Sequence, residues 1–341
     1  MENSTENNKK VSKKKSLLNK FFKIVLPLGL GIGIIYYLVR DINPNELWAV
    51  IKDANWAILA FSLIFGLLGN TLRGYRWKLF INPLGYTPRT SSLCFAIYGG
   101  YAVNLVLPRA GEVWKCGVIA KDENIPFSKL FGTMLLDRVF DLFTVMFITI
   151  FAFFSNIDFF IKQLEGNKVM FDKVIDIISS PLLYIGIVVI IGLIWAMFRF
   201  FGDNFIVKKI KGFIISIKQD MQAIWKMKTK MRLLLCTIGI WTSYFLYFYV
   251  TFFAFDFTKD LGFTAGLTAF TLGSISMGVP SNGGLGPWHI AIVASLGLYG
   301  VDKLSATGFA TSVFTIQSII WIMICGLFGI AALAIRSKKN G

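Results

Sequence analysis

Hydrophobic and polar positions in this chain are gathered into blocks rather than interleaved. "IVLPLGLGIGIIYYLV" (24–39) and "LFTVMFITIFAFF" (142–154) approach or reach membrane-spanning length once their flanks are included. Strands of a membrane barrel would alternate apolar and polar residues, and no useful length of this chain does so. In hydrocarbon every backbone donor and acceptor must be satisfied within the chain, so the runs predict helices. Spans are expected at 24–40, 56–80, 130–154, 181–200, 232–255 and 305–335. Two more apolar segments, 91–121 and 264–300, are each cut by a proline–glycine break, "NLVLPRAGEVW" (104–114) and "GVPSNGGLGPW" (278–288).

The basic residues orient these elements, because Lys and Arg collect on the cytoplasmic side. A lysine-rich start (Lys9 to Lys23), a basic cluster over 199–232 and the final "RSKKN" all belong inside. Helix 56–80 then ends inside and helix 130–154 starts there, so segment 91–121 must enter and leave on the cytoplasmic face. By the same count, 264–300 must enter and leave on the outer face. The fold class that follows is an all-α polytopic membrane protein: about six spanning helices plus two opposed re-entrant helical hairpins. "LGYT" (84–87) before one hairpin and "LGFT" (261–264) before the other mark an inverted repeat, 56–154 and 232–335. A basic cytoplasmic tail (1–20) precedes a single transmembrane domain (21–335), with a cytoplasmic C-terminus at 336–341. Residues 203–230 carry apolar positions at helical spacing among lysines, which predicts an amphipathic linker helix on the cytoplasmic interface.

Composition agrees with a lipid solvent: 55% of residues are hydrophobic and 16% charged. The net charge of +16 is explained by the topology and by contact with anionic headgroups, with no nucleic acid required. No small-residue cleavage site follows the first apolar run, so it reads as an uncleaved helix. Cys94, Cys116, Cys236 and Cys325 are scattered in apolar surroundings and form no CxxC pair, so neither a disulfide framework nor a metal site is implied.

Ionisable residues inside a membrane are costly and therefore candidates for function. Arg109 and Glu112 stand at the first break; they can bind a ligand, or pair to pin the turn. In "LLDRVFDLF", Asp137, Arg138 and Asp141 share a helix, and Arg138–Asp141 at i,i+3 can pair on one face. Arg73 and Arg76 lie near a cytoplasmic helix end, where snorkelling to headgroups competes with an inward role. In the second hairpin Gly283, Gly284, Gly286 and the lone histidine, His289, adjoin a half-helix start whose N–H groups suit an anion. His289 has a plain structural alternative as a hydrogen-bonding core residue. Asn104 and Pro108 in the first break, and Pro280 and Asn282 in the second, complete the candidate substrate-binding set. No Walker A loop, Ser/His/Asp arrangement, HExxH or CxxC occurs, so no enzymatic activity, cofactor or metal is expected.

"RGYRW", "NLVLPRAGEVWK", "LLDRVFDL" and "GVPSNGGLGPW" resemble the membrane region of the lysylphosphatidylglycerol synthase family over roughly residues 20–335. That resemblance implies a flippase-like domain of a bacterial inner membrane that moves an anionic or aminoacylated phospholipid between leaflets. It singles out Arg109, Glu112, Arg138, Asp141 and the Gly283–Gly286 turn. His289 stands where relatives usually place an acidic residue. The chain stops soon after its last helix, so the expectation is a stand-alone domain without the synthase, with a lipid-modifying enzyme encoded separately as a possible partner. Two other functions stay open on the residues alone: a secondary transporter of a small anionic solute, and a non-transporting membrane partner of an envelope enzyme.

Overall fold

The structure, a computed structural model, describes residues 28–159, 180–200, 229–279 and 281–339, together with 161, 176 and 212. The basic tail, most of the 156–178 loop, nearly all of the 203–230 linker and Pro280 lie outside the described residues. Among those described, every regular element is helical. In chain order they are α1 (Leu28–Val39), α2 (Pro44–Lys52), α3 (Trp56–Ile81), α4 (Thr90–Val106), α5 (Ala110–Asp122) and α6 (Phe127–Ser155). There follow α7 (Pro181–Phe200), α8 (Lys230–Tyr249), α9 (Gly262–Ser276), α10 (Pro287–Leu298), α11 (Lys303–Phe314) and α12 (Trp321–Lys339).

Among the described residues, four stretches are long and apolar enough to cross a membrane: Trp56–Leu84, Phe127–Ser155, Lys230–Ala254 and Lys303–Arg336. Two differences from the sequence reading have local causes. The segment expected as an outer loop at 41–53 contains α2, because Asn43 caps it by accepting from the Asn45 amide (3.0 Å) and Pro44 starts it. The expected helix 305–335 is interrupted by one π-helical stretch, Thr315–Ile320, between α11 and α12. There Gln317 is buried; its Nε2 donates to Ser62 Oγ (2.9 Å) and to the Tyr247 carbonyl (2.6 Å). The Tyr247 hydroxyl donates back to the Gln317 carbonyl at 2.9 Å.

Residues 153–231 form a smaller unit of their own, in which α7 is the described full-length helix. The main unit, residues 28–152 and 232–339 as described, holds two apolar cores. One gathers aromatic residues of α8, α10 and α11, including Phe248, Trp288, Phe309 and Phe314. The other joins the end of α3 to α4, α5 and α6 through Trp77, Leu93, Ile97, Ile119 and Leu130. Large apolar side chains such as Phe143, Phe147 and Phe151 on α6 and Leu327 and Phe328 on α12 remain exposed, as a lipid-facing surface requires.

Close helix contact here depends on missing side chains. The α4 and α5 arms touch at Gly100 and Gly111, where a Cβ on Gly111 would collide with the Gly100 carbonyl. Gly326 and Gly329 on α12 lie against the Tyr98 and Phe95 carbonyls of α4. The first break is made by Leu107 in extended conformation and Arg109 in the left-handed region (φ 62°). The second uses Gly283, Gly284 and Gly286 at φ 61°, 92° and 91°, which L side chains adopt only at a cost.

Candidate functional site

A helix repeats every 3.6 residues, so Arg73 and Arg76 on α3 face one way, as do Asp137 and Asp141 on α6. The two faces meet. Arg76 Nε donates to Asp137 Oδ1 (2.8 Å) and its Nη2 to Asp141 Oδ1 (2.6 Å). Arg73 Nη2 donates to Asp141 Oδ2, also at 2.6 Å. Arg76 is fully buried and Arg73 nearly so, and Arg76 adds a contact to Thr237 Oγ1 (3.3 Å) from α8. Neither arginine reaches for headgroups. The snorkelling alternative is overturned because two carboxylates within hydrogen-bond distance hold the guanidinium groups inward.

Hydroxyls extend this network. Arg73 Nη1 donates to the Tyr101 hydroxyl (3.0 Å), which lies 3.4 Å from that of Tyr244; Tyr244 in turn donates to Asn70 Oδ1 (2.7 Å). Thus α3, α4, α6 and α8 are tied at one level.

A second layer lies between the α4–α5 hairpin and α6. Asn104 Oδ1 accepts from the Gly111 amide (2.7 Å) and its Nδ2 donates to Glu112 Oε2 (3.2 Å). Glu112 also accepts from Arg138 Nη2. The expected Arg138–Asp141 pair is therefore replaced by two others, since Arg138 reaches α5 while Asp141 is taken by α3. Arg109 and Glu112 do not pair. These groups line a small, partly open cleft bounded by Ile97, Gly100, Tyr101, Asn104, Gly111, Glu112, Lys115 and Arg138.

The two breaks touch each other. Arg109 Nη2 donates to the Gly278 carbonyl (3.1 Å), and Asn282 Nδ2 donates to the carbonyls of Leu105 and Val106, each at 3.1 Å. Pro108 lies in the first turn. Gly283 leaves space for Leu105, Gly284 for Met277, and Gly286 for the backbone of Gly31 on α1. The glycine turn is thereby filled by neighbours. His289 is not brought to the cleft: its ring packs on Phe314 (4.6 Å) and Trp288 (5.6 Å), with Nδ1 lacking a hydrogen-bond partner.

Three features of the site escaped the sequence reading as site residues. Lys115 lies on the cleft wall; its place one turn beyond Glu112 is visible in the sequence, but it is not among the candidate site residues. Tyr101 and Tyr244 are hydroxyls within apolar runs, and their link depends on helices distant in sequence. Among the described residues no group of acidic, histidine and cysteine side chains is arranged to hold a metal ion.

Fold and site together define a polytopic helical membrane protein with a buried ionic network beside two joined helix breaks. The chain belongs to the family described as lysylphosphatidylglycerol synthase TM region, whose model matches residues 24–326. It is similar to glycosyltransferase AglD of Haloferax volcanii, 32% identical over 123 residues, which are 36% of this chain and 20% of that protein. It is also similar to UPF0104 membrane protein MJ1595 of Methanocaldococcus jannaschii, 28% identical over 146 residues, or 42% of this chain and 40% of the relative. The matches thus span a fifth and two fifths of those proteins. No solved structure matches the chain.

Proposed function

We propose that this protein is a lipid translocase of a bacterial cell membrane, passing an anionic phospholipid headgroup between leaflets without catalysing a chemical step. The observation that carries the reading is the junction of two broken hairpins, Arg109 on Gly278 and Asn282 on Leu105 and Val106, beside a cleft lined by ionisable groups. A membrane interior holds non-helical backbone only where protein or a polar cavity covers it. The reading takes α4–α5 and α9–α10 as hairpins entering from opposite faces, within an inverted repeat of six spans whose two termini are cytoplasmic. The headgroup crosses at the junction while the acyl chains stay in lipid beside exposed faces such as that of α6. Family membership supports a membrane function. A lipid-modifying enzyme encoded separately would supply or consume the lipid.

The test is leaflet exchange of fluorescent phosphatidylglycerol in proteoliposomes, read by dithionite quenching. The protein should exceed protein-free vesicles, and Arg109→Ala should lose that excess. Exchange equal to protein-free vesicles across a panel of lipid headgroups would sink the reading. Single cysteines at Arg89 and Lys121 should label from the same side; labelling from opposite sides would remove the re-entrant hairpin.

A further inference from the structure

Counting charges in the buried network leaves one over. Arg73 and Arg76 are matched by Asp137 and Asp141, and Arg138 by Glu112. Lys115 has no carboxylate and no hydrogen-bond partner among the described residues, yet the residue is 6% exposed. Its ammonium stands over the Trp77 ring, 5.1 Å from the centroid. An aromatic face offsets a fraction of the desolvation of a cation. A buried charge without a counter-ion costs several kcal/mol, and that cost is removed when an anion arrives.

We propose that the cleft at Lys115 is a binding site for a single phosphate group, belonging either to a lipid headgroup or to free phosphate. For the lipid source it deepens the translocase reading and rests on it. Lys115 supplies the charge. Arg138 also lines the cleft, and its pairing with Glu112 leaves those two without net charge, so Lys115 carries the excess. The cleft is small, with room between its walls for about one water, and half open, so a phosphate would be held at its mouth rather than enclosed.

Binding is measured on the detergent-purified full chain with three probes: dihexanoyl phosphatidylglycerol, inorganic phosphate, and uncharged dihexanoylglycerol. The phosphate-bearing lipid should bind, dihexanoylglycerol should not, and Lys115→Met should weaken binding about tenfold or more, as loss of a charge-assisted hydrogen bond does. Lys115→Arg should keep affinity within about threefold, since the cation is kept. Thermal unfolding separates this from a structural role: removing an uncompensated ammonium should leave the midpoint unchanged or raise it. Equal binding of inorganic phosphate and the lipid supports the site and assigns it to free phosphate. No binding of either phosphate probe, equal binding of dihexanoylglycerol, unchanged binding by Lys115→Met, or a lowered midpoint in that variant overturns it. Leaflet exchange is scored separately, so a protein that binds phosphate at Lys115 but moves no lipid keeps the site and loses the translocase reading.

Discussion

Replacing Arg76 by methionine tests whether the arginine network is a buried ionic fastener. The side chain is fully buried and makes hydrogen bonds to Asp137 Oδ1 (2.8 Å), Asp141 Oδ1 (2.6 Å) and Thr237 Oγ1 (3.3 Å). Asp141 keeps Arg73 in the variant, but Asp137 is left buried with no ionic partner. Stranding one member of a buried pair costs about 3–5 kcal/mol. For a chain of this size that corresponds to a fall of about 4–7 °C in the unfolding midpoint. The double variant Arg76→Met/Asp137→Leu removes both charges and should recover most of the loss, because a buried pair replaced by apolar groups is often neutral. The assay is thermal unfolding in detergent for wild type, both single variants and the double variant, treated as a cycle. Were Arg76 instead to reach the headgroups, its removal would cost under about 1 kcal/mol and show no coupling to Asp137. That outcome would refute the assignment.

Three further outcomes follow from single contacts. Gly111→Ala forces a Cβ into the Gly100 carbonyl and should cost about 1–3 kcal/mol through parting of α4 and α5, whereas Gly117→Ala, with open space around it, should be neutral or slightly stabilising by the same unfolding assay. Asn282→Ala deletes both bonds to the Leu105 and Val106 carbonyls; stability should fall by about 1–3 kcal/mol and leaflet exchange should fall with it. Asp302 caps α11 by accepting from the Ser305 amide (2.9 Å), and that backbone donor holds its carboxyl below the usual carboxylate value. Its stabilisation should be fully present above the ordinary carboxylate range and disappear as pH falls through the lowered value; Asp302→Ala should cost about 1 kcal/mol and flatten that acid limb.

The helices were legible because a membrane leaves the backbone few alternatives: 56–80 and 130–154 became α3 and α6 within three residues at each end. Both breaks were legible from proline and glycine. What one sequence does not encode locally is which charged face meets which. The Arg138–Asp141 spacing permits a pair within α6, yet two-sided contact with α3 and α5 offers each group a better partner. His289 adjoined a glycine-rich helix start, a sound pattern for an anion, but Leu105 and Gly31 fill the turn and Phe314 packs on the ring at a tilt. Burial of Arg73 and Arg76 depends on carboxylates more than sixty residues away, so end-of-helix position alone could not distinguish fastening from snorkelling.

The chain has two helix–hairpin–helix runs, α3 to α6 and α8 to α12, but they are fastened by different chemistry. In the first, α3 and α6 are clamped by ions. In the second, α8 and the α11–α12 junction are held by a neutral exchange, Gln317 to the Tyr247 carbonyl and the Tyr247 hydroxyl to the Gln317 carbonyl. Gln317 lies within the π-helical stretch Thr315–Ile320. Helix α3 joins both fasteners, since Ser62 near its start accepts from Gln317 while Arg73 and Arg76 lie in its later half. At 1.5 Å per residue these levels are roughly 16–21 Å apart along α3, more than half the thickness of a hydrocarbon core. Among the described residues, the buried ion pairs of α3 with α6 thus lie at one level, beside the cleft, while the other level is locked by neutral groups that cost little to bury. On the proposed translocase reading, a headgroup would meet charge on one side of the hairpin junction rather than along a path running the length of the protein.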